Sequence, residues 1–225
     1  MPYESSEYRP DPVAENGWVI AAFLDTVQRR VADRLPVAQL TADLQTQQRA
    51  LEEAHQDWMV DPQARSNLQV SAAVLATYRA LQCYIPRDEL LALIREAFVW
   101  PLRDSIRTGT ALMLDHAPDP FQAMRAVSKA RELHFFGAGF TFERSRDDDR
   151  AYYADVTRCL WHSFFVANGA PELTPIFCEF DTNWIEAIDP ARHALQFSRA
   201  TTLGNGGPLC PFHFFRLPAS GHNRR

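Results

Sequence analysis

With 225 residues, of which 46% are hydrophobic, 12% aromatic and 23% charged, the chain has the profile of a soluble globular protein, which excludes disorder and collagen-like repeats. Its 23 basic and 28 acidic residues leave a net charge of −5 and form no basic stripe, so nucleic acid is not expected as a partner. The four cysteines lie far apart without a CxxC pair, the first residues MPYESSEYRPDP hold no apolar signal-peptide core, and no apolar run approaches the roughly 18 residues of a membrane span.

From this we expect a cytoplasmic, reducing setting with free thiols and no membrane contact. A chain of this length buries enough apolar surface to fold as one domain or as two tightly joined halves.

The first half reads as helices. From Gly17 to Leu35, Ile20, Phe23, Leu24, Val27, Val31 and Leu35 recur at spacings of three and four and form one apolar stripe, which Pro36 ends. Leu40, Leu44, Leu51, Ala54 and Trp58 continue that period in a Gln-rich second helix with much solvent-facing surface, and MVDPQARSN reads as a loop. A third helix is predicted from Leu68 to Tyr84, with Pro86 stopping it and Asp88 capping the next. The fourth carries Leu90 and Ile94 and breaks or restarts at Pro101. DHAPDP is a loop before a short helix from Phe121 to Arg131.

The pattern then changes. HFFGAGFTFER (134–144) alternates like a strand, with a bulge or close backbone approach at Gly137 or Gly139, and RSRDDDR reads as a solvated turn. Tyr152 to Asn168 is predicted helical, with Gly169 as its C-terminal stop, and Pro171 or Thr174 opens a further helix to Ile188. Two strands, His193–Thr202 and Leu209–Leu217, close the fold around a hairpin signal at Asn205-Gly206, and ASGHNRR is a disordered tail. The fold class is therefore α+β: a helical half over 1–131, an α+β half over 132–218 that carries the irregular chemistry, and the tail 219–225.

Three cysteines of the second half have polar neighbours. On the predicted helix Cys159 shares a face with Asp155 and His162; Cys178 stands one turn before Asp181; Cys210 precedes His213, whose odd separation in a strand puts it on the opposite face. A free cysteine is commonly a small buried hydrophobe, and Cys83 in the helical half is read that way. Cys159, His162, Cys178 and Cys210 have the right ligand types for zinc but no short-range pairing, so no metal and no cofactor is assigned. His55, His116, His193 and His222 have no telling partner and read as surface or loop residues. Arg199, among alternating apolar residues, either pairs with Glu179 or Asp181 or clamps a carboxylate in a cleft. Gly137 and Gly139 do not make a GxGxxG nucleotide fingerprint.

Taken in order, a helix ending in NGxPEL (168–173), the FCxxD motif at Phe177–Asp181 and the closing R-x-x-T-L-x-x-G with CxF over 199–212 resemble the L-2-amino-thiazoline-4-carboxylic acid hydrolase family, over about residues 134–217. The family pattern often places an acidic residue after the last cysteine, where this chain has Pro211. The resemblance implies hydrolytic opening of a small cyclic isothiourea, in amino acid or secondary metabolism, by a thiolate or an activated water attacking its amidine-like carbon; the enzyme expected is a hydrolase of non-peptide C–N bonds, or one that opens or forms a C–N or C–S bond in such a cyclic amidine. Cys210 and Cys178 are then the candidate thiols, Asp181 the acid/base or amidinium partner, Arg199 the anion clamp, and Cys159 and His162 further substrate-side residues. Cys210 is preferred as nucleophile, because Glu179 and Asp181 would raise the Cys178 pKa whereas a glycine-rich turn and Arg199 flank Cys210.

A second reading is a non-catalytic module that encloses an apolar small molecule among the 15 Phe and five Trp; the terminal G-x-x-x-C-x-F looks like small ligand-binding domains of the 4-vinyl reductase type. In either reading the partner is a small molecule, and the helical half is left to cap the pocket or to form a homodimer.

Overall fold

Four Asp-Pro pairs punctuate the chain, and each starts a helix. Asp11, Asp61, Asp119 and Asp189 accept backbone N–H groups of the following turn through their carboxylates, while the proline behind each supplies a preset φ where no N–H is needed. The computed structural model describes residues 8–218.

The helices of the first half are α1 (Pro12–Val31), α2 (Val37–Ala54), α3 (Pro62–Leu81), α4 (Arg87–Val99), α5 (Arg103–His116) and α6 (Pro120–Arg131). The apolar stripe alone starts α1 and α3 too late, at Gly17 and Leu68, because the first turn of each is fixed by its cap and not by burial. The break at Pro101 is present between α4 and α5. Pro86 occupies the cap position of α4, so Asp88 lies inside the first turn and favours the helix through its charge instead of capping it.

Helix α3 is enclosed on nearly all sides. Its Leu68, Val74, Leu75 and Leu81 join Phe23 and Val27 of α1, Leu44 of α2 and Ile94 of α4 in the main core. Its one fully buried amide, Asn67, donates through Nδ2 to Phe135 O at 2.9 Å and Phe136 O at 3.3 Å, and accepts from Asn16 Nδ2 at 3.2 Å. These carbonyls belong to a π-helical turn, Glu132–Phe136, followed by a 3-10 turn, Gly137–Gly139. The strand expected over 134–144 is therefore helical until Gly139. Gly137 takes φ +70°, and Ala138 N–H is held by Asp61 Oδ2 at 2.7 Å, so capping of α3 and the entry to the sheet share one carboxylate.

The sheet is antiparallel in the order β1-β2-β4-β3, with β1 Thr141–Asp147, β2 Ala151–Arg158, β3 Leu195–Ser198 and β4 Cys210–Arg216. The expected turn RSRDDDR contracts to its last residues, where the Asp148 carboxylate accepts the N–H groups of Arg150 and Ala151. The expected helix over 152–168 is corrected at its front half, which is strand β2. Tyr152, Ala154 and Val156 point inward, and Tyr153, Asp155 and Thr157 point away, because alternation and β-branched or aromatic side chains outweigh the incidental four-residue spacing. Only Leu160–Ala167 is helical (α7), and Gly169, with φ +70°, ends it as expected.

Beyond α7 come a 3-10 turn, Pro171–Leu173, then α8 (Thr174–Phe180), α9 (Thr182–Ile185) and α10 (Pro190–His193), where one helix to Ile188 was expected. The β3–β4 pairing is present, but Asn205-Gly206 does not form a two-residue hairpin. Residues 199–209 make a longer connection containing a 3-10 turn, Leu203–Asn205, with Gly206 at φ +83°. The inner face of the sheet contributes Val156 and Cys210 to the main core, and Tyr152, Ala154, Leu195 and Phe214 to a second cluster with Leu114, Phe121 and Met124.

Of the histidines expected at the surface or in loops, His193 is packed inside, while His55, in the turn that ends α2, is half-buried. His55 lies against Trp58 and Phe164 with Asn168 Nδ2 3.0 Å from its Nε2, and His193, only 5% exposed, accepts the Asp189 N–H on Nδ1 and meets Asp115 through Nε2. His222 and the tail from 219 lie outside the described residues. Among those residues no helix is long and apolar enough to cross a membrane.

Candidate functional site

The segment that the sequence marks as chemically irregular closes on itself. Cys159 caps the corner between β2 and α7, Cys178 sits on α8, and Cys210 opens β4. Cys178 and Cys210 both raise the Cys159 pKa and Cys178 raises that of Cys210, whereas Cys83, expected in the core, is exposed elsewhere on the helical half. The strand assignment of β2 dissolves the expected Cys159–Asp155–His162 helix face. Asp155 turns to the opposite side of the sheet and meets His213 Nε2 at 2.8 Å. Cys210 and His213 stand on opposite faces, as the odd separation requires.

Arg199 follows directly on β3, and of its two expected partners it takes Asp181; Glu179 turns outward to Arg95. The guanidinium also donates through Nη2 to Cys178 O at 2.7 Å and lies over the Phe212 ring, 5.3 Å from its centroid. Asp181, at the junction of α8 and α9, accepts the Trp184 indole N–H at 3.1 Å on its other oxygen. This Asp–Arg pair is therefore held from several directions, with the Arg199 side chain 12% exposed and that of Asp181 28%.

The turn Leu203–Asn205 lies against the thiols. Leu203 N–H donates to Cys210 Sγ at 3.1 Å, and a Cβ on Gly204 would stand 2.9 Å from Cys178 Sγ and 2.8 Å from Thr174 Cγ2. Only glycine lets the backbone approach so closely. Thr174 Oγ1, Trp161 Nε1 and His162 Nδ1 are buried without a hydrogen-bond partner among the described residues, an unusual concentration of unsatisfied polar atoms beside one cluster.

Burial dominates the electrostatics of the sulfurs. It pushes Cys159 up to about 12 and Cys210 up to about 11, against the N–H groups that favour the thiolate, and it raises Cys178 as well. The low-pKa environment expected at Cys210 is therefore not what its surroundings provide. Among the described residues no three His, Cys, Asp or Glu side chains are arranged to hold a metal ion, so the zinc set weighed above does not form. Two hollows, of about 360 and 330 Å³, lie around Met59, Asp61 and Arg65 and around His55, Arg79 and Asn168.

The sequence gives Thr174, Thr202, Leu203 and Gly204 no role at the site, although Thr202 and Leu203 stand in the R-x-x-T-L-x-x-G string and Thr174 marks a helix start. The available signal is weak: a Thr two residues before a glycine, ahead of a short turn, is a common capping pattern. Pro211, where the family pattern carries an acid, faces Asp155 across the ladder.

No curated protein and no solved structure matches the chain. A family model described as L-2-amino-thiazoline-4-carboxylic acid hydrolase matches residues 66–214, from α3 to β4, and so takes in part of the helical half as well as every residue of the cluster. With that span covering well over half of the sequence, the chain belongs to the L-2-amino-thiazoline-4-carboxylic acid hydrolase family.

Proposed function

We propose that the chain hydrolyses a small, zwitterionic cyclic amidine such as a 2-amino-thiazoline carboxylate, at the cluster formed by Cys178, Cys210, Asp181 and Arg199. The observation that carries this reading is the Asp181–Arg199 pair beside the thiols. A ligand that bears an amidinium and a carboxylate is the charge complement of such a pair, and it can exchange one ion pair for two.

In this scheme Arg199 takes the carboxylate and Asp181 the amidinium. A cluster thiol bonds to the amidine carbon and gives up its proton to the ring sulfur as the ring carbon–sulfur bond breaks, so that the ring sulfur leaves as a thiol. Water, giving its proton to Asp181, then displaces the protein sulfur and leaves a carbamoyl group on the former ring nitrogen. Cys159 and His162 border the substrate. The family description supports hydrolysis, and the charge pattern supports this substrate class.

The test is incubation of purified protein with a panel of 2-amino-thiazoline carboxylates, following loss of ring absorbance and appearance of a new thiol together. Equal growth of both signals supports carbon–sulfur opening, ring loss without thiol assigns carbon–nitrogen cleavage, and a ligand retained at unchanged mass overturns the enzymatic reading.

A further inference from the structure

We infer that the Thr174 hydroxyl is a specificity-determining contact of the site, a buried donor that binds an acceptor atom of the ligand ring on the side of Cys178 away from the Asp181–Arg199 pair. This deepens the function proposed above and rests on it.

Thr174, Cys178 and Asp181 follow one another at spacings of four and three, and the backbone stays right-handed helical from α8 through Asp181 into α9, so the three side chains share one face. At about 1.5 Å per residue, Cys178 lies about 4.5 Å along that face from Asp181, and Thr174 about 6 Å beyond Cys178. The segment after β3 runs back along the same face. Arg199 meets Asp181 and the carbonyl of Cys178, and Gly204 stands against both Cys178 Sγ and Thr174 Cγ2. The face therefore offers, in order, an ion pair, a thiol and a hydroxyl. A small ring that is attacked at the thiol with its charged groups on the ion pair turns its far edge toward the hydroxyl.

That hydroxyl has no partner of its own. Thr174 is 1% exposed, and its Oγ1 makes no hydrogen bond among the described residues. The other buried hydroxyls there all make one: Ser66 donates to Pro12 O, Ser71 to Asn67 O and Thr77 to Ala73 O, while Thr26 and Thr202 accept from Arg29 and Asn205. A second unpartnered donor, the Trp161 indole N–H, comes from α7, with its ring 5.5 Å from that of Phe177, the residue before Cys178. A buried donor without an acceptor destabilises the free protein, and a ligand that brings the acceptor removes that penalty while one that lacks it does not. Entry at this point requires the turn over Thr174 to yield, and three of the five residues from Leu203 to Gly207 are glycine.

The experiment compares Thr174→Val, which replaces the hydroxyl by a methyl of the same shape, with Thr174→Ser, which keeps the hydroxyl and loses the methyl. Each is read by thermal melting of the ligand-free protein and by steady-state kinetics on 2-amino-thiazoline-4-carboxylate. Thr174→Val is expected to melt within about 1 °C of wild type or above it, because no hydrogen bond is lost, and to raise KM about tenfold with kcat within about twofold, the size of one hydrogen bond to the ligand. Thr174→Ser is expected to reverse the pattern, melting about 2–4 °C lower for its missing buried methyl, with KM within about twofold of wild type. A Thr174→Val protein that melts about 2 °C or more below wild type, or does not fold, has lost a hydroxyl bound within the free protein, directly or through a buried water, and overturns the inference; so does an unchanged KM. If the wild type turns over no thiazoline, the function proposed above fails on its own, and the two melting temperatures still decide whether the hydroxyl is held unpaired.

Discussion

Arg199 and Asp181 stand 18 residues apart in sequence and hold one another in an ion pair at the edge of the thiol cluster, where the chain leaves β3 and where α8 meets α9. The pair is braced by Cys178 O on one side and the Trp184 indole on the other, which orders the guanidinium before any ligand arrives.

Removing that guanidinium should disable substrate capture. Arg199→Ala is expected to lower kcat/KM for a thiazoline carboxylate about 100-fold, corresponding to about 3 kcal/mol of charge-assisted contact. Arg199→Lys should recover only part of it, because an ammonium cannot serve Asp181, the Cys178 carbonyl and a carboxylate in one plane. Steady-state kinetics on both variants checks this; full activity in Arg199→Ala would place the substrate elsewhere.

The buried thiols should make the protein sensitive to alkali. Cys210 titrates near 11 when folded, against 9.0 for an unperturbed thiol, so between these values the unfolded chain sheds a proton that the folded chain retains. A raised pKa contributes stability in full below pH 9 and loses it as the pH climbs through 11; Cys159, near 12, extends the loss. Urea midpoints are expected to fall from pH 9 upward, with a flatter slope in a Cys159→Ala, Cys210→Ala double variant.

His213→Ala is expected to leave turnover within about twofold of wild type. His213 pairs with Asp155 and stacks on Tyr153, 4.3 Å between ring centroids, on the face of the sheet opposite Cys210. Its loss should appear in stability instead, at about 1 kcal/mol for one cross-strand pair and one part-buried hydrogen bond. Parallel thermal melts and kinetics separate the two effects.

The left-handed glycines should differ in cost. At Gly169 a Cβ meets nothing within 4 Å, so Gly169→Ala carries only the backbone penalty of about 1–2 kcal/mol. At Gly137 the added carbon would stand 2.5 Å from Asp61 Oδ1, the carboxylate that caps α3 and holds Ala138 N–H, so Gly137→Ala should cost more than Gly169→Ala. Chemical denaturation of both variants gives the comparison.

The sequence by itself determined the α+β class, the helical character of the first half with its break at Pro101, the stop at Gly169, the pairing of the last two strands and the motif order that marks the family. Each is written in local signals: apolar period, proline, glycine and a short residue string. It mistook β2 for helix because Tyr152, Val156 and Cys159 recur at helical spacing, and only the cross-strand ladders to β1 and β4 make the alternation of Tyr152, Ala154 and Val156 the decisive pattern. It named the members of the cluster but not its wiring. Asp181 rather than Glu179 as the mate of Arg199, the Leu203 N–H on Cys210, the close approach of Gly204 to Cys178, and the burial that raises the thiol pKa values all arise where segments distant in sequence meet. Desolvation and hydrogen-bond direction belong to that meeting, and no single segment carries them.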